Sequence, residues 1–224
     1  MKQIHNGGFV RLDAAMADDL SVVNSARVSF GRRKEAIDES EEGLIRFLMR
    51  ERHGTPFEHN AFRFHVRCPI FIAREWQRHR IGSFNEFSAR YAEMPQEAYL
   101  PEPEYVRTQT GKPGAYTFEA VEQSDAERAR MLVQTSYDTA FGVYERLLTG
   151  GIAKEIARLV LPVGTYTEFY WTVNARSLMN FLSLRSASTA QLEIQDYAIL
   201  VEEHFAELMP VTHGAWDANG RIAP

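Results

Sequence analysis

The sequence predicts a single domain, residues 1–224, in which α-helices are combined with β-strands. Residues 60–68 alternate apolar and polar side chains with the period of two that is typical of a half-buried strand. Several longer segments instead repeat apolar side chains every three or four residues, as amphipathic helices do. With 45% hydrophobic and 25% charged residues, the composition is that of an ordinary globular domain with a full-sized core.

The first predicted helix starts at Asp38, which stands three residues before Glu41 at the spacing of a helix-capping pair, and ends near Gly54. The strand follows it. Pro69 then suits the first position of a short helix that runs to about Gln77. The apolar face of the first helix contains Leu44, Ile45, Phe47, Leu48 and Met49, and that of the strand contains Phe62, Phe64, Val66 and Cys68.

The second half of the chain is predicted to be mainly helical. Residues 95–123 are rich in proline and are predicted to form a long surface loop. Ser124 is predicted to open a long helix as the first residue of a capping box, and the glycines at 150–151 end that helix. Residues 165–174, rich in Thr, Tyr, Phe and Trp, predict a second strand. Further helices are predicted at 152–161, 177–184 and 190–208, and residues 210–224 are predicted to form a C-terminal tail.

The charge and the cysteine content exclude several classes of function. A net charge of −5 argues against a general nucleic-acid binder, because nonspecific affinity for DNA depends on a surplus of basic side chains. Cys68 is the only cysteine, so an intrachain disulfide and a cysteine-based zinc cluster are excluded. Neither a signal-peptide pattern nor an apolar run of about 18 residues occurs, so we expect a cytoplasmic protein that contacts no membrane.

The segment from Arg78 to Tyr91 is the strongest functional signal in the chain. It contains arginines, a histidine, serines and an asparagine in the pattern R-H-R-x-x-S-x-N-x-x-S-x-R. Arginine offers a planar fork of donors that matches phosphate, while Ser and Asn side chains add neutral hydrogen bonds that orient a ligand. These residue types predict a local anion-binding site rather than a core element.

Other common nucleotide and metal motifs are absent from the sequence. It contains neither G-x-G-x-x-G nor G-x-x-x-x-G-K-[ST], so side chains would have to hold any phosphates. It contains no H-E-x-x-H, and its 7 histidines lack metal-ligand spacing, so we expect no metal site. Cys68 lies on the apolar face of the predicted strand, where we expect a small buried side chain rather than a nucleophile.

A second polar cluster lies between Asn174 and Arg185. Arg176 and Asn180 are four residues apart, which places them on one face of the predicted helix, where both can reach one ligand. Arg185 is five residues beyond Asn180, just off that stripe. A solvated polar helix face would have a similar composition, so the cluster alone leaves both interpretations open.

These two clusters resemble sequence blocks of the flavin-dependent thymidylate synthases. The arginine-rich pattern is similar to that family's signature, and the blocks occur in the family's order over residues 9–205. The resemblance implies an α+β fold with an antiparallel sheet flanked by long helices. It also implies a homotetrameric assembly in which each active site is built from more than one subunit. Further similar blocks lie at residues 26–30, 55–59 and 157–162.

The resemblance also assigns roles to individual residues. Arg185 would be the catalytic residue, placed against the edge of the uracil ring, where it would stabilise developing charge. The residues implied to hold FAD are Thr55, Arg78, His79, Arg80, Glu86, Asn174, Arg176 and Asn180. The residues implied to bind dUMP are Glu75, Arg78, Glu86, Phe87, Ser88, Ala89, Arg90, Arg158 and Arg185.

The implied reaction converts dUMP to dTMP. A one-carbon unit would pass from 5,10-methylenetetrahydrofolate to C5 of dUMP, with FAD reduced by NADPH as the hydride source. Two positions depart from the family pattern: Glu75 stands where many relatives carry Gln, and Thr189 stands where some carry His. A carboxylate at position 75 would repel the substrate phosphate unless an arginine neutralised it.

Two other functions are compatible with the same residues. A different flavoprotein, a reductase with the same FAD site, would oxidise NADPH without needing dUMP. A noncatalytic RNA- or nucleotide-binding module would be colourless, and its affinity would fall steeply with salt concentration. That module would use Arg78, Arg80 and Arg90 as a basic patch and Phe84, Phe87 and Tyr91 for base stacking.

Overall fold

A computed structural model of the protein describes residues 2–4 and 7–224. The strands are β1 (Lys2–Ile4), β2 (Gly8–Met16), β3 (Ala61–Pro69), β4 (Ser83–Glu86), β5 (Arg107–Lys112), β6 (Ala115–Ala120) and β7 (Tyr166–Asn174). The α-helices are α1 (Asp19–Arg27), α2 (Glu39–Arg50), α3 (Ile70–Trp76), α4 (Gln123–Thr149), α5 (Lys154–Ala157), α6 (Ala175–Arg185), α7 (Leu192–Leu208) and α8 (Pro210–Ala218). Short 3-10 helices cover Val28–Phe30, Thr55–His59, Pro103–Tyr105 and Arg158–Val160.

The chain divides into two compact units. The first contains the described residues up to Cys68 together with Ile72–Glu86 and Glu168–Pro224. The second contains Pro69–Phe71 and Phe87–Thr167. Among the residues that the structure describes, no helix has both the length and the apolar character that a bilayer crossing requires.

The first unit is built around a five-stranded sheet with the strand order β1-β2-β3-β7-β4. The pairs β1/β2, β2/β3 and β4/β7 are antiparallel, which agrees with the fold expected from the family resemblance. The register of β2 against β3 shifts between Leu12 and Ala14, which marks an irregularity in the ladder. The predicted period-two face of β3 is confirmed, because its side chains Phe62, Phe64, Val66 and Cys68 are fully buried.

An aromatic cluster fixes helices α3 and α6 against this sheet. The rings of Trp76 in α3 and Phe181 in α6 are 4.7 Å apart, and they lie 5.3 and 5.0 Å from the ring of Trp171 in β7. All three side chains are fully buried. Complete burial of a large apolar side chain stabilises a fold by roughly 1.5–3 kcal/mol. The cluster therefore holds the end of α3, and the loop that follows it, next to α6.

Cys68 is a structural side chain, as the sequence predicts. It is completely buried and forms no disulfide. Burial raises the pKa of the Cys68 thiol well above its ordinary value, and the negative charge of Glu86 adds to that effect. The thiol is therefore kept protonated, and the nucleophilic thiolate is disfavoured.

Helix α2 begins where the sequence predicts. The Asp38 side chain accepts hydrogen bonds from the backbone N–H groups of Ser40, at 2.9 Å, and Glu41, at 3.1 Å. Glu41 itself is buried and pairs with Arg27 and Lys34 instead of returning to the cap. The helix ends at Arg50, earlier than the predicted end near Gly54.

The region predicted as a tail contains helix α8. The carboxylate of buried Asp19, in the first turn of α1, accepts hydrogen bonds from the backbone N–H of Val211 at 2.9 Å and of Thr212 at 2.8 Å. It also accepts a bond of 2.6 Å from the Thr212 hydroxyl. Asp19 thus pairs with N–H groups at the start of α8 that have no partner within the helix. Pro210, in the first turn, has no backbone N–H and so needs no acceptor there.

The second unit contains α4, α5 and the hairpin β5-β6. Its small core is formed by Met94, Tyr144 and Ala157. The Tyr144 hydroxyl accepts a hydrogen bond of 3.0 Å from the Met94 backbone N–H, and the Tyr137 hydroxyl donates one of 2.9 Å to the Tyr99 carbonyl. These bonds tie the segment after the arginine-rich motif to α4.

Three predictions for this unit are wrong. The predicted loop at 95–123 contains the hairpin β5-β6, because Gly111 and Gly114 adopt the positive φ angles of 92° and 85° that a tight reversal requires. Helix α4 starts at Gln123, so Ser124 lies inside the helix and makes no cap. The helix predicted at 152–161 is only the single turn of α5 followed by a 3-10 turn.

Candidate active site

A pocket with a volume of about 700 Å³ lies in the first unit. Its walls are the loop of residues 78–81 after α3, the polar side of α6 from Asn174 to Arg185, Glu58, and residues 223–224. The start of the first polar cluster, residues 78–80, and the second cluster therefore meet around one cavity. The structure brings together seven of the predicted residues, namely Arg78, His79, Arg80, Asn174, Arg176, Asn180 and Arg185.

Helix α6 presents its polar side to this pocket because its apolar side is buried. The Asn174 side chain caps the helix by accepting a hydrogen bond of 2.8 Å from the Ser177 backbone N–H. Arg176 and Asn180 follow on the pocket side, one helical turn apart. The opposite side consists of Leu178, Met179, Phe181 and Leu182, all fully buried.

Arg176 is held in place by two acceptors. Its Nε donates to the backbone oxygen of Pro224 at 2.6 Å, and its Nη1 donates to Glu58 Oε1 at 2.6 Å. Gly54 makes room for the side chain, because a Cβ at that position would lie 2.5 Å from the Arg176 Nε. The guanidinium group of Arg176 is therefore oriented by the protein before any ligand arrives.

Arg185 forms a second organised group, with His79 and Glu75. Its Nε donates to His79 Nε2 at 3.0 Å, and its Nη2 donates to the Glu75 backbone carbonyl at 3.3 Å. Its Nη1 lies 3.7 Å from Glu75 Oε1. Burial and the adjacent Arg185 charge lower the pKa of His79 from 6.5 to about 4. His79 is therefore neutral at physiological pH, as an acceptor at Nε2 must be.

Glu75 does not line the pocket but contacts Arg185, which does. Its Oε2 atom is buried and has no hydrogen-bond partner among the described residues. A carboxylate in that position offsets part of the positive charge of Arg185. The Glu75 carboxylate thus has an electrostatic effect on the residue predicted to be catalytic.

Two residues predicted to bind FAD lie outside the pocket walls. Thr55 is exposed and begins a 3-10 helix, and Glu86 accepts a hydrogen bond of 3.0 Å from the Gln77 side chain. Neither side chain belongs to the lining of the 700 Å³ cavity. Their predicted contacts with FAD remain predictions.

The other predicted dUMP residues, Phe87, Ser88, Ala89, Arg90 and Arg158, lie in the second unit. Arg90 and Arg158 both contact Glu155 there. The Arg90 Nε donates to the Glu155 carboxylate at 3.2 Å, and the Arg158 Nε donates to the Glu155 backbone carbonyl at 3.4 Å. The Ser88 hydroxyl accepts a bond of 3.4 Å from the Arg90 backbone N–H. Each of the two guanidinium groups thus has an oxygen of Glu155 as its acceptor.

Several pocket residues were not singled out as ligands from the sequence. Glu58 lies in the 55–59 block, and its spacing gave no sign that it would pair with Arg176. Ile81 is 71% exposed and supplies an apolar surface beside Arg80. Leu184 lies two turns after Arg176, a spacing that could have identified it. Ala223 and Pro224 carried no sequence signal.

Comparison with known proteins is consistent with this geometry. The family model described as thymidylate synthase complementing protein matches residues 11–211. The flavin-dependent thymidylate synthase of Thermosipho africanus is 46% identical over 214 residues, which cover 96% of this chain and 92% of the relative. The corresponding protein of Streptomyces coelicolor is 43% identical over 229 residues, covering 96% and 93%.

Two solved structures are also similar to this chain over nearly its whole length. The UMP/dUMP methylase PolB from Streptomyces cacaoi, bound with 5-Br dUMP, has a TM-score of 0.90 and 47% identity, and the match covers 98% of this chain and 99% of that protein. The same protein bound with 5-Br UMP has a TM-score of 0.89 at 47% identity, covering 97% and 96%. The chain therefore belongs to the family of flavin-dependent thymidylate synthases, which are methyltransferase enzymes.

Proposed function

We propose that this protein methylates dUMP to dTMP, with 5,10-methylenetetrahydrofolate as the one-carbon donor and FAD reduced by NADPH as the hydride source. The observation that carries the proposal is the pocket in which Arg78, Arg80 and Arg176 converge with the amides of Asn174 and Asn180. The names of the relatives support a flavin and a uridine nucleotide as its ligands.

The pocket residues fit a flavin dinucleotide. A pyrophosphate needs cationic donors, and Arg78, Arg80 and Arg176 provide them without a glycine-rich loop. A planar ring system needs apolar contact, which Ile81 and Leu184 supply. We propose that FAD occupies this pocket, where it would supply the hydride for the reduction step.

Arg185 is the residue proposed to act on the substrate. With Nε held by His79 and Nη2 held by the Glu75 carbonyl, the guanidinium group is fixed beside the pocket. A fixed cation stabilises charge that develops on the uracil ring without having to reorganise. Neutral His79 accepts a hydrogen bond from the Arg185 Nε–H group, and the positive charge stays on Arg185.

The dUMP phosphate is proposed to bind to Ser88, Arg90 and Arg158 of the second unit. In the second unit, the side chain of Arg90 is 56% exposed and its partner Glu155 is 53% exposed. An ion pair this exposed contributes little to stability, about 1 kcal/mol or less. A phosphate dianion can therefore replace Glu155 as the partner of Arg90 at low cost.

We further propose that the chain folds as one domain and assembles as a homotetramer with shared active sites. Large apolar side chains are exposed on α4, where Met131 and Leu132 are 62% and 65% exposed. A second apolar site includes Ile156 and Leu159, at 52% and 74% exposed. Burial of such residues is a driving force for association. Light scattering coupled to size-exclusion chromatography measures the assembly.

Methylation of UMP is a second candidate function. It is favoured by one observation: PolB, which is as similar to this chain as the thymidylate synthases are, was solved with both 5-Br dUMP and 5-Br UMP. The two candidates differ only in the 2′-hydroxyl of the substrate. A comparison of kcat/KM for dUMP and UMP distinguishes them.

The proposed function is tested with the purified full-length chain. We expect the protein to bind FAD and to form dTMP when dUMP, 5,10-methylenetetrahydrofolate and NADPH are all present, as measured by mass spectrometry. Omission of any one component should abolish the product. NADPH oxidation without any methylated nucleotide would support the reductase instead and would contradict the proposal.

A further inference from the structure

Residues 221–224 form a strap that turns back onto helix α6. Arg221 has a φ angle of 58°, in the left-handed region, and this conformation redirects the chain after α8. The strap lies outside residues 11–211, the region matched by the family model.

Arg221 anchors the strap firmly. Its Nη1 and Nη2 donate to the two carboxylate oxygens of Glu202 at 2.8 and 2.5 Å, and Nη2 also donates to the Ser186 hydroxyl at 2.8 Å. The guanidinium carbon lies 4.2 Å from the centre of the Trp216 ring. A bidentate pair with an aromatic contact is among the stronger surface interactions. The Ser183 hydroxyl of α6 donates to the Arg221 backbone oxygen.

The far end of the strap reaches the pocket. Pro224 is buried, and its backbone oxygen accepts the hydrogen bond of 2.6 Å from Arg176 Nε. Glu58 accepts from Nη1 of the same side chain. Among the described residues, no hydrogen bond from Arg176 Nη2 is seen, so both N–H groups of that nitrogen can donate to a ligand.

The strap lines the pocket and does not fill it. With residues 223–224 in place, the cavity still has a volume of about 700 Å³. A side chain with many rotamers, such as arginine, loses conformational entropy when a ligand fixes it. Contacts with Pro224 and Glu58 fix Arg176 during folding, so ligand binding does not have to offset that loss of entropy.

We propose that the strap is a positioning element of the flavin site, which acts by holding Arg176 in its ligand-binding orientation. This inference rests on the proposed flavin function. It predicts that removal of residues 222–224 weakens FAD binding, although the anchor Arg221 remains. A strap that instead blocked the pocket would have the opposite effect, because its removal would tighten binding.

The experiment measures the dissociation constant of FAD by fluorescence titration of the flavin-free full chain and three variants. These are a variant lacking residues 222–224, Arg176→Ala, and the combination of both. We expect the truncation to raise the dissociation constant about tenfold in the intact background. In the Arg176→Ala background the truncation should change the dissociation constant less than about twofold, because the strap acts through the Arg176 side chain.

Ile199→Ala is the matched control, because Ile199 lies on α7 outside the strap, is 50% exposed and does not line the pocket. It should bind FAD like the intact chain. Arg221→Ala is the second variant, since it loosens the strap without removing it, and it should weaken FAD binding as the truncation does. Thermal unfolding of each variant shows that it is folded.

Three results would overturn the inference. Truncation could tighten FAD binding, leave it unchanged, or weaken it equally in the intact chain and in Arg176→Ala. If the intact chain takes up no FAD, the proposed function itself fails, and the inference fails with it. If the intact chain binds FAD and truncation has no effect, only the inference fails.

Discussion

Arg185 donates a hydrogen bond from its Nε to the Nε2 of His79 over 3.0 Å, although the two residues are 106 positions apart in the chain. The bond joins the loop after α3 to the last turn of α6. Because the acceptor is a neutral imidazole, it orients the guanidinium group without cancelling its charge. The pairing gives the proposed catalytic residue a fixed position at the pocket.

Replacement of Arg185 by Ala should reduce turnover of dUMP by about 10²- to 10³-fold, the usual cost of losing one preorganised donor. FAD binding should change little, because Arg176 and the loop arginines remain. The measurement is kcat at saturating dUMP. Arg46→Ala is the control, because Arg46 is 56% exposed on α2, does not line the pocket and should leave kcat unaltered. Near-normal turnover in Arg185→Ala would refute the role.

His79 should titrate with a pKa of about 4 in the folded protein, because burial and the Arg185 charge both oppose its protonation. The unfolded chain, with the ordinary value of 6.5, binds more protons between these two values. Stability should therefore fall as pH falls from about 6.5 to about 4, and this contribution should be constant below pH 4.

The imidazole resonances of His79 in an NMR titration measure this pKa directly. Urea unfolding at pH 7 and pH 5 tests the consequence for stability. His79→Gln is the informative variant, because its amide can still accept from Arg185 but does not titrate. It should lose less stability than the intact protein between these two pH values. A His79 resonance that titrates near 6.5 would contradict the buried, neutral assignment.

Gly54→Ala should weaken FAD binding, because the new Cβ would lie 2.5 Å from the Arg176 Nε and would displace that side chain. An increase of about tenfold in the dissociation constant is expected. Gly43→Ala is a suitable control, since a Cβ there meets nothing within 4 Å and Ala favours the helix. Equal FAD affinity in the Gly54 and Gly43 variants would show that Arg176 does not need its observed position.

Asp19→Ala should destabilise the protein by about 2–4 kcal/mol, since it leaves the backbone N–H groups of Val211 and buried Thr212 without their acceptor. The free energy of unfolding in urea measures this effect. Asp138→Ala, at an exposed position on α4, should change it by less than about 0.5 kcal/mol. Similar values for the two variants would mean that Asp19 does not hold α8.

Local patterns predict those parts of the fold that depend on neighbouring residues. The period-two face of β3 and the Asp38 cap are correct because alternation and capping act within a few positions. The cap predicted at Ser124 is wrong, because the helix starts at Gln123. Helix α8 was not predicted because the acceptor at its start is remote in sequence. The Asp19 carboxylate is 192 and 193 positions from Val211 and Thr212, whose N–H groups it binds.

The candidate site also combines contacts that local spacing predicts with contacts between residues remote in sequence. Arg176 and Asn180 were predicted on one face from their spacing, and both line the pocket. Arg185, just off that stripe, lines it too, because His79 draws the side chain toward the loop. The contacts of Arg176 with Glu58 and Pro224 involve residues 118 and 48 positions away, for which sequence spacing gives no signal.

The central claim is that arginine side chains in this pocket hold a flavin so that a one-carbon unit can be transferred to a uridine nucleotide and reduced. The most direct measurement supplies 5,10-methylenetetrahydrofolate labelled with ¹³C at the methylene carbon, together with dUMP, FAD and NADPH. Mass spectrometry should then find the label in the methyl group of dTMP with the intact chain, and much less of it with Arg176→Ala at limiting FAD. Consumption of NADPH with no labelled dTMP would contradict the account.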